Sequence, residues 1–338
     1  MSTDIKNIKQ EIKYFLLINF VLIAFISVFI FKLALKPDSS MLITNFGGLF
    51  MYIPAFSVIV VLKKFSNYKF SSKVDKFLNV FAISTVVRIF ASIADVFIFN
   101  NIIISSLIDA FVSAYLLYVV MSNRCEFEVL NLSLNKNFKK ILTLVLIFLI
   151  IIISKFILGI ILDGSSTFNI ENYKIEIKDA ILAIISLITN FCFGFNLFFG
   201  EEFGWRYFLQ PRIQKIYGKK FGVLILGFIW GIWHLPLCLT LYGPETPALC
   251  VINHIAYCML FGVFLGYVYM TTENIFAPIL IHLTNNSVFG ILNGGYESIL
   301  TSNTLLIGIV LNTIFFLPFL FTKVYKSNNI EESSTLDF

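Results

Sequence analysis

The sequence predicts an all-α protein, a polytopic transmembrane helical bundle of about ten transmembrane helices with a core of about eight and both termini cytoplasmic. Three observations predict it. Of 338 residues, 58% are hydrophobic and only 13% are charged, with 39 Phe and a mean hydropathy of +0.87, far from the usual composition of a soluble domain. Apolar runs of span length recur along the whole chain, and no polar stretch is long enough to form a separate soluble domain. The basic residues gather in alternate connections.

A span needs roughly 20 apolar residues. Residues 15–35 supply the first, behind a polar N-terminus carrying Lys6, Lys9 and Lys13. The run exceeds a secretory h-region and has no small-residue cleavage site, so it reads as a retained signal anchor. Further spans are expected near 42–62, 77–99, 102–121, 141–162, 179–199, 221–241, 249–270, 275–292 and 302–322. With the N-terminus inside, 19 of the 25 Lys and Arg fall in inside segments, as the positive-inside rule requires. The protein is therefore expected in a cell membrane, as a multi-pass protein in contact with membrane lipid. The Ile-, Lys-, Asn- and Phe-rich composition points to an AT-rich bacterial genome and so to a bacterial plasma membrane.

The domain reading has residues 1–165 as transmembrane helices without a motif, 175–325 as the motif-bearing membrane domain, and 327–338 as a disordered tail with little apolar surface to offset ordering entropy. The segment from Asp163 to Asp179 reads as a solvated outside loop. The net charge of +5 follows from topology. No basic-aromatic groove accompanies it, so no nucleic-acid partner is expected. Five scattered cysteines without CxxC spacing argue against a disulfide framework or structural zinc.

Chemistry concentrates after residue 199. Gly200-Glu201-Glu202-Phe203-Gly204-Trp205-Arg206 puts two carboxylates and an arginine at the end of an apolar span, where ionisable groups are costly and mark a functional site by default. If the helix continues to about Gln210, Glu202 and Arg206 pair at i,i+4, and Glu201 points about 100° away, free to face a cavity. A lone structural ion pair would need only one of the two acids. The three histidines, His234, His254 and His282, all follow. Trp230 and His234 share a face at i,i+4, with Pro236 placed to kink the helix. His282 and Asn286 also share a face, and both can donate to a developing oxyanion. At 1.5 Å per residue, Glu201 and His282 lie about 12–13 Å in from the cytoplasmic side and His234 about 20 Å, so the three can meet. Arg88, Asp95, Asp109 and Lys155 read as interhelical pairs or snorkelling groups. His254 reads as structural.

The order Glu-Glu-x-x-x-Arg (Glu201, Glu202, Arg206), aromatic-x-x-x-His (Trp230, His234) and His-x-x-x-Asn (His282, Asn286) resembles the CPBP family of intramembrane proteases, which includes the type II CAAX prenyl endopeptidases and the bacterial Abi proteins. The resemblance spans residues 200 to 290. Where the family usually has Phe, four residues before the first histidine, this chain has Trp230.

The resemblance implies an intramembrane endopeptidase acting on a peptide or membrane-protein substrate near the cytoplasmic side. Glu201 would be the general base activating water, His234 would help hold that water, Glu202 and Arg206 would support, and His282 with Asn286 would stabilise the oxyanion. Two metal readings stand. The favoured one needs no cofactor; the other places zinc on Glu201, His234 and His282, at the cost of the free base. The resemblance points to CAAX cleavage, peptide pheromone maturation, or bacteriocin processing or self-immunity. The rival readings are a non-catalytic immunity or partner-binding protein and a proton-coupled transporter; the absence of an internal repeat counts against the latter.

Overall fold

The computed structural model describes residues 2–66, 68–133, 135–163, 177–293 and 299–326. The tail at 327–338 and residues 164–176 of the long loop lie outside them. Among the described residues the chain is helical throughout. It runs through α1 (Ser2–Ala34), α2 (Ser40–Lys64), α3 (Ser72–Ala94), α4 (Ile103–Ser122), α5 (Phe138–Asp163), α6 (Ile177–Glu202), α7 (Gln210–Tyr217), α8 (Lys219–Trp233), the single turn α9 (Leu235–Leu237), α10 (Pro247–Thr272), α11 (Phe276–Asn293), α12 (Ser302–Phe316) and the short α13 (Lys323–Lys326).

Every expected apolar run is a helix, but the number able to span differs from ten. Among the described residues eight helices are long and apolar enough, and a ninth is added if the pair Lys219–Trp233 and Leu235–Tyr242, bent by 46°, counts as one span. The bend lies at His234 and Pro236, where the proline removes a backbone donor. Helix α11 is not in the count. Its apolar run is broken by His282, Thr284, Asn285, Asn286 and Ser287, of which His282, Thr284 and Ser287 are buried in the bundle, away from lipid, where such groups are costly.

The sixth span continues well beyond the acidic pair, as one apolar unit from Ile184 to Tyr217. Between α6 and α7 the backbone winds as a π-helix from Phe203 to Leu209. Such widened turns recur at functional sites. This one begins immediately after Glu202.

Glycines set the closest helix contacts, as small residues do in membranes, where lipid gives apolar side chains no reason to prefer protein over bilayer. A Cβ on Gly200 would collide with the Met51 carbonyl, and one on Gly204 with Pro54, both on α2. On α8, a Cβ on Gly227 would stand 2.5 Å from Met259 Cα, and one on Gly231 2.7 Å from Ile255 Cα. These two glycines seat α8 against α10, the most heavily packed helix pair in the bundle.

Polar residues join the N-terminal helices to α6. Arg88 Nε donates to Asp109 Oδ1 at 2.9 Å and its Nη2 to Asn45 Oδ1 at 2.8 Å. Tyr52 Oη donates to the same Asp109 oxygen at 2.6 Å, and Asn196 of α6 donates to Tyr52 while accepting from Ser113. Arg88 thus pairs between helices, as expected of it. Asp95 instead accepts from the Ile104 and Ser105 amides at the start of α4, where a carboxylate satisfies otherwise unpaired donors. Lys155 donates to Asn312 Oδ1 and lies over the Phe316 ring at 4.7 Å.

Candidate active site

Glu201 and Glu202 end α6 with their side chains buried. The glycines on either side press one face of this helix onto α2, and the two acids turn to α8 and α11. Glu202 makes two contacts. Arg206 Nε lies 3.0 Å from its Oε2 across the π turn, an ion contact without the alignment of a hydrogen bond. His282 Nδ1 of α11 lies 2.8 Å from its Oε1. The expected i,i+4 pairing of Glu202 with Arg206 therefore holds, although the turn between them is π rather than α.

Glu201 is not free. Its Oε2 accepts from Trp230 Nε1 at 2.9 Å. The same indole lies 5.8 Å from the His234 ring and 5.6 Å from the His282 ring, both edge-on, and 4.9 Å from Arg206 Cζ. Trp230 therefore touches four of the six residues picked out by the sequence: Glu201, Arg206, His234 and His282. Phe228, two residues before Trp230, is exposed.

The hydrogen bonds also fix the imidazoles. His234 Nδ1 lies 2.8 Å from the Trp230 carbonyl oxygen, which can only accept, so the proton is on Nδ1 and Nε2 presents a lone pair. By the same argument Glu202, as a carboxylate, takes the Nδ1 proton of His282. Phe198 packs edge-on to the His282 ring at 5.3 Å, and Trp233, whose Nε1 donates to Asn19 of α1 at 2.8 Å, packs on His234 at 4.7 Å. Asn286 is placed differently. It is exposed, and its Oδ1 accepts from Asn285 at 3.1 Å.

The alternative zinc set of Glu201, His234 and His282 is not among the groups of three donors whose ligand atoms lie within 4.8 Å of one another among the described residues. Among the described residues, the one group of donors converging to within 4.8 Å is His234, His254 and Cys258, and Glu201 is turned to the indole. The ring of His254, expected to be structural, lies 4.5 Å from that of His234. The available signal was the i,i+4 spacing of His254 and Cys258 on one helix face.

Electrostatically the site holds two carboxylates, one guanidinium and two imidazoles in a buried volume. Among the described residues both Arg206 Nη amines lack a hydrogen-bond partner, and its charge is balanced by Glu202 and the Trp230 face. Chemically the set offers a carboxylate with a fixed orientation, an imidazole lone pair beside it, and a second imidazole held by its own acid.

No curated protein matches the chain. Residues 180–288 match the family model described as type II CAAX prenyl endopeptidase Rce1-like. The matched segment contains all six motif residues and leaves the N-terminal helices outside it. Over that segment the chain is similar to the Rce1-like endopeptidases, within the CAAX protease family that its three motifs resemble, and this supports an intramembrane protease kind for this multi-pass membrane protein.

Proposed function

We propose that this protein is an intramembrane endopeptidase that hydrolyses a peptide bond with water activated by Glu201, without a metal. The observation that carries the reading is the single indole, Trp230, in contact with Glu201, Arg206, His234 and His282.

Glu201 removes a proton from water as the water oxygen attacks the scissile carbonyl. His234 Nε2, carrying a lone pair, accepts the second water hydrogen and so orients the nucleophile. Glu202 holds Nδ1–H of His282 and supports it as an imidazolium, whose Nε2–H then donates to the oxyanion. Asn286, one turn along the same helix, assists through its Nδ2 donor, which the bond from Asn285 to its Oδ1 does not use. Glu201 returns its proton to the leaving amine as the tetrahedral intermediate collapses, so the base is restored.

The substrate is a peptide or membrane-protein segment cut near the cytoplasmic face. Prenylated CAAX ends, pheromone precursors and bacteriocin-type peptides all fit that description, and the bacterial composition favours the latter two.

The test is cleavage of quenched fluorescent peptides of these three classes by the full chain in nanodiscs, with Glu201→Gln alongside and each protein with and without a chelator. Wild-type cleavage falls by about 10²–10⁴-fold in Glu201→Gln, the range for a positioned general base, and survives chelation. Equal rates for the two proteins, or no cleavage by wild type of any class, would overturn the reading in favour of a binding or immunity role.

A further inference from the structure

We infer that His234, His254 and Cys258 form a binding site for a zinc-class divalent cation, and that occupancy of this site withdraws His234 from the hydrolytic centre. The second part rests on the proposed function; the first does not.

His254 and Cys258 stand one turn apart on the same face of α10. His234 ends α8 directly opposite, because Gly231 and Gly227 let the α8 backbone approach Ile255, Cys258 and Met259. One ligand atom from each of the three residues lies within 4.8 Å of the others. Tetrahedral zinc, with bonds of about 2.0–2.1 Å to nitrogen and 2.3 Å to sulfur, needs donors roughly 3.3–3.7 Å apart. Closure therefore takes about an ångström of side-chain adjustment.

Donor chemistry and orientation agree. Imidazole with thiolate suits zinc and cobalt over magnesium or calcium. His234 gives its Nδ1 proton to a backbone carbonyl, the outer-shell bond that turns the other nitrogen of a ligating histidine to its metal. His254 Nε2 is buried with no hydrogen-bond partner among the described residues, and such a group calls for an explanation. Cys258 is a free, buried cysteine. Three protein ligands leave a fourth position for water, and binding expels the thiol proton to solvent. Glu201 is outside the ligand set. A cation here takes the His234 lone pair that the proposed mechanism assigns to water, so zinc acts as an inhibitor.

The experiment titrates cobalt(II), then competing zinc, into the full chain in nanodiscs, and follows cleavage in parallel. Wild type binds one cobalt per chain with a thiolate-to-cobalt charge-transfer band. Cys258→Ser abolishes the band, and His254→Ala weakens binding by about 100-fold or more, beyond the 10–100-fold typical of losing an outer-shell partner. Cys192→Ser, away from the site, keeps the band. Zinc slows wild-type cleavage and leaves Cys258→Ser and His254→Ala at their own metal-free rates. If His254→Ala does not fold, the near-isosteric Cys258→Ser decides. Absence of a stoichiometric charge-transfer band in wild type overturns the site, whatever the cleavage result. Bound cobalt with cleavage unchanged or activated overturns the inhibitory role. Bound cobalt in a protein that cleaves nothing upholds the site and sinks the protease reading.

Discussion

Trp230 Nε1 donates to Glu201 Oε2 at 2.9 Å while its ring packs against both His234 and His282. An aromatic ring alone at this position would buttress the histidine; the indole nitrogen also fixes the rotamer of the carboxylate. Trp230→Phe keeps much of the packing and removes the donor. A hydrogen bond to a charged group contributes about 1.5–3 kcal/mol, and about 1.4 kcal/mol is tenfold in rate. The expected outcome is a fall in kcat of about 10–100-fold with KM little changed. A Trp230→Phe protein with wild-type kcat would show that the indole does not position the base proposed at Glu201.

The Glu202, Arg206 and His282 group predicts a stability pattern. Removing one member of a buried ion pair leaves the other charge uncompensated, at a cost of about 3–5 kcal/mol. Arg206→Met and Glu202→Gln each lower the unfolding free energy in detergent by an amount on that order. The double variant removes both charges and is less destabilised than the sum, because contacting residues couple. Strict additivity in this cycle would mean that the 3.0 Å contact carries no net coupling.

Much of this was legible in the sequence, for physical reasons. Apolar length identifies helices, and i,i+4 spacing identifies shared faces, so the Glu202 and Arg206 pair and the Trp230 and His234 pair could be read before any tertiary contact was known. The meeting of α8 with α10 could not, because spacing within one helix says nothing about which neighbour its face will meet. The approach of the His254 ring to His234 is therefore not legible from spacing. The partner of His282 was hidden in the same way, since its Nδ1 is held by a carboxylate 80 residues upstream. The π turn at Phe203–Leu209 leaves no mark on apolar periodicity, and the bond from Trp230 to Glu201 corrects the expectation of an unengaged acid.

Gly200 and Gly204 were visible as residues, but their function as a small-x-x-x-small contact follows only from the backbone of α2 lying against them. Overpacking a tight contact costs about 1–3 kcal/mol. Gly204→Ala meets Pro54 backbone and side-chain atoms that cannot rotate away, and should lower stability by that amount and reduce cleavage as the acidic pair shifts. Gly194→Ala, whose Cβ would find only Phe198 Cε2 at 3.8 Å, serves as the control and should unfold as wild type does. Equal midpoints for the two variants would remove the argument that helix approach positions Glu201.

The network from Arg88 through Asp109 and Tyr52 to Asn196 ties α3, α4 and α2 to the helix that carries Glu201, and it predicts a ranking of effects. Tyr52→Phe deletes one hydroxyl shared by Asp109 and Asn196. Interhelical hydrogen bonds in membranes average about 0.6 kcal/mol, so this change should cost about 1 kcal/mol and lower cleavage only a few-fold. Arg88→Met leaves Asp109, half of a largely buried pair, without its cation, and should cost about 3–5 kcal/mol. The N-terminal helices lie outside the matched segment 180–288, so a dispensable scaffold would tolerate both changes equally. Unfolding midpoints in detergent, measured with kcat on the same samples, separate the cases. If Arg88→Met unfolds and cleaves as wild type does, the N-terminal helices do not hold α6 in place, and the orientation of Glu201 must come from α8 and α11 alone.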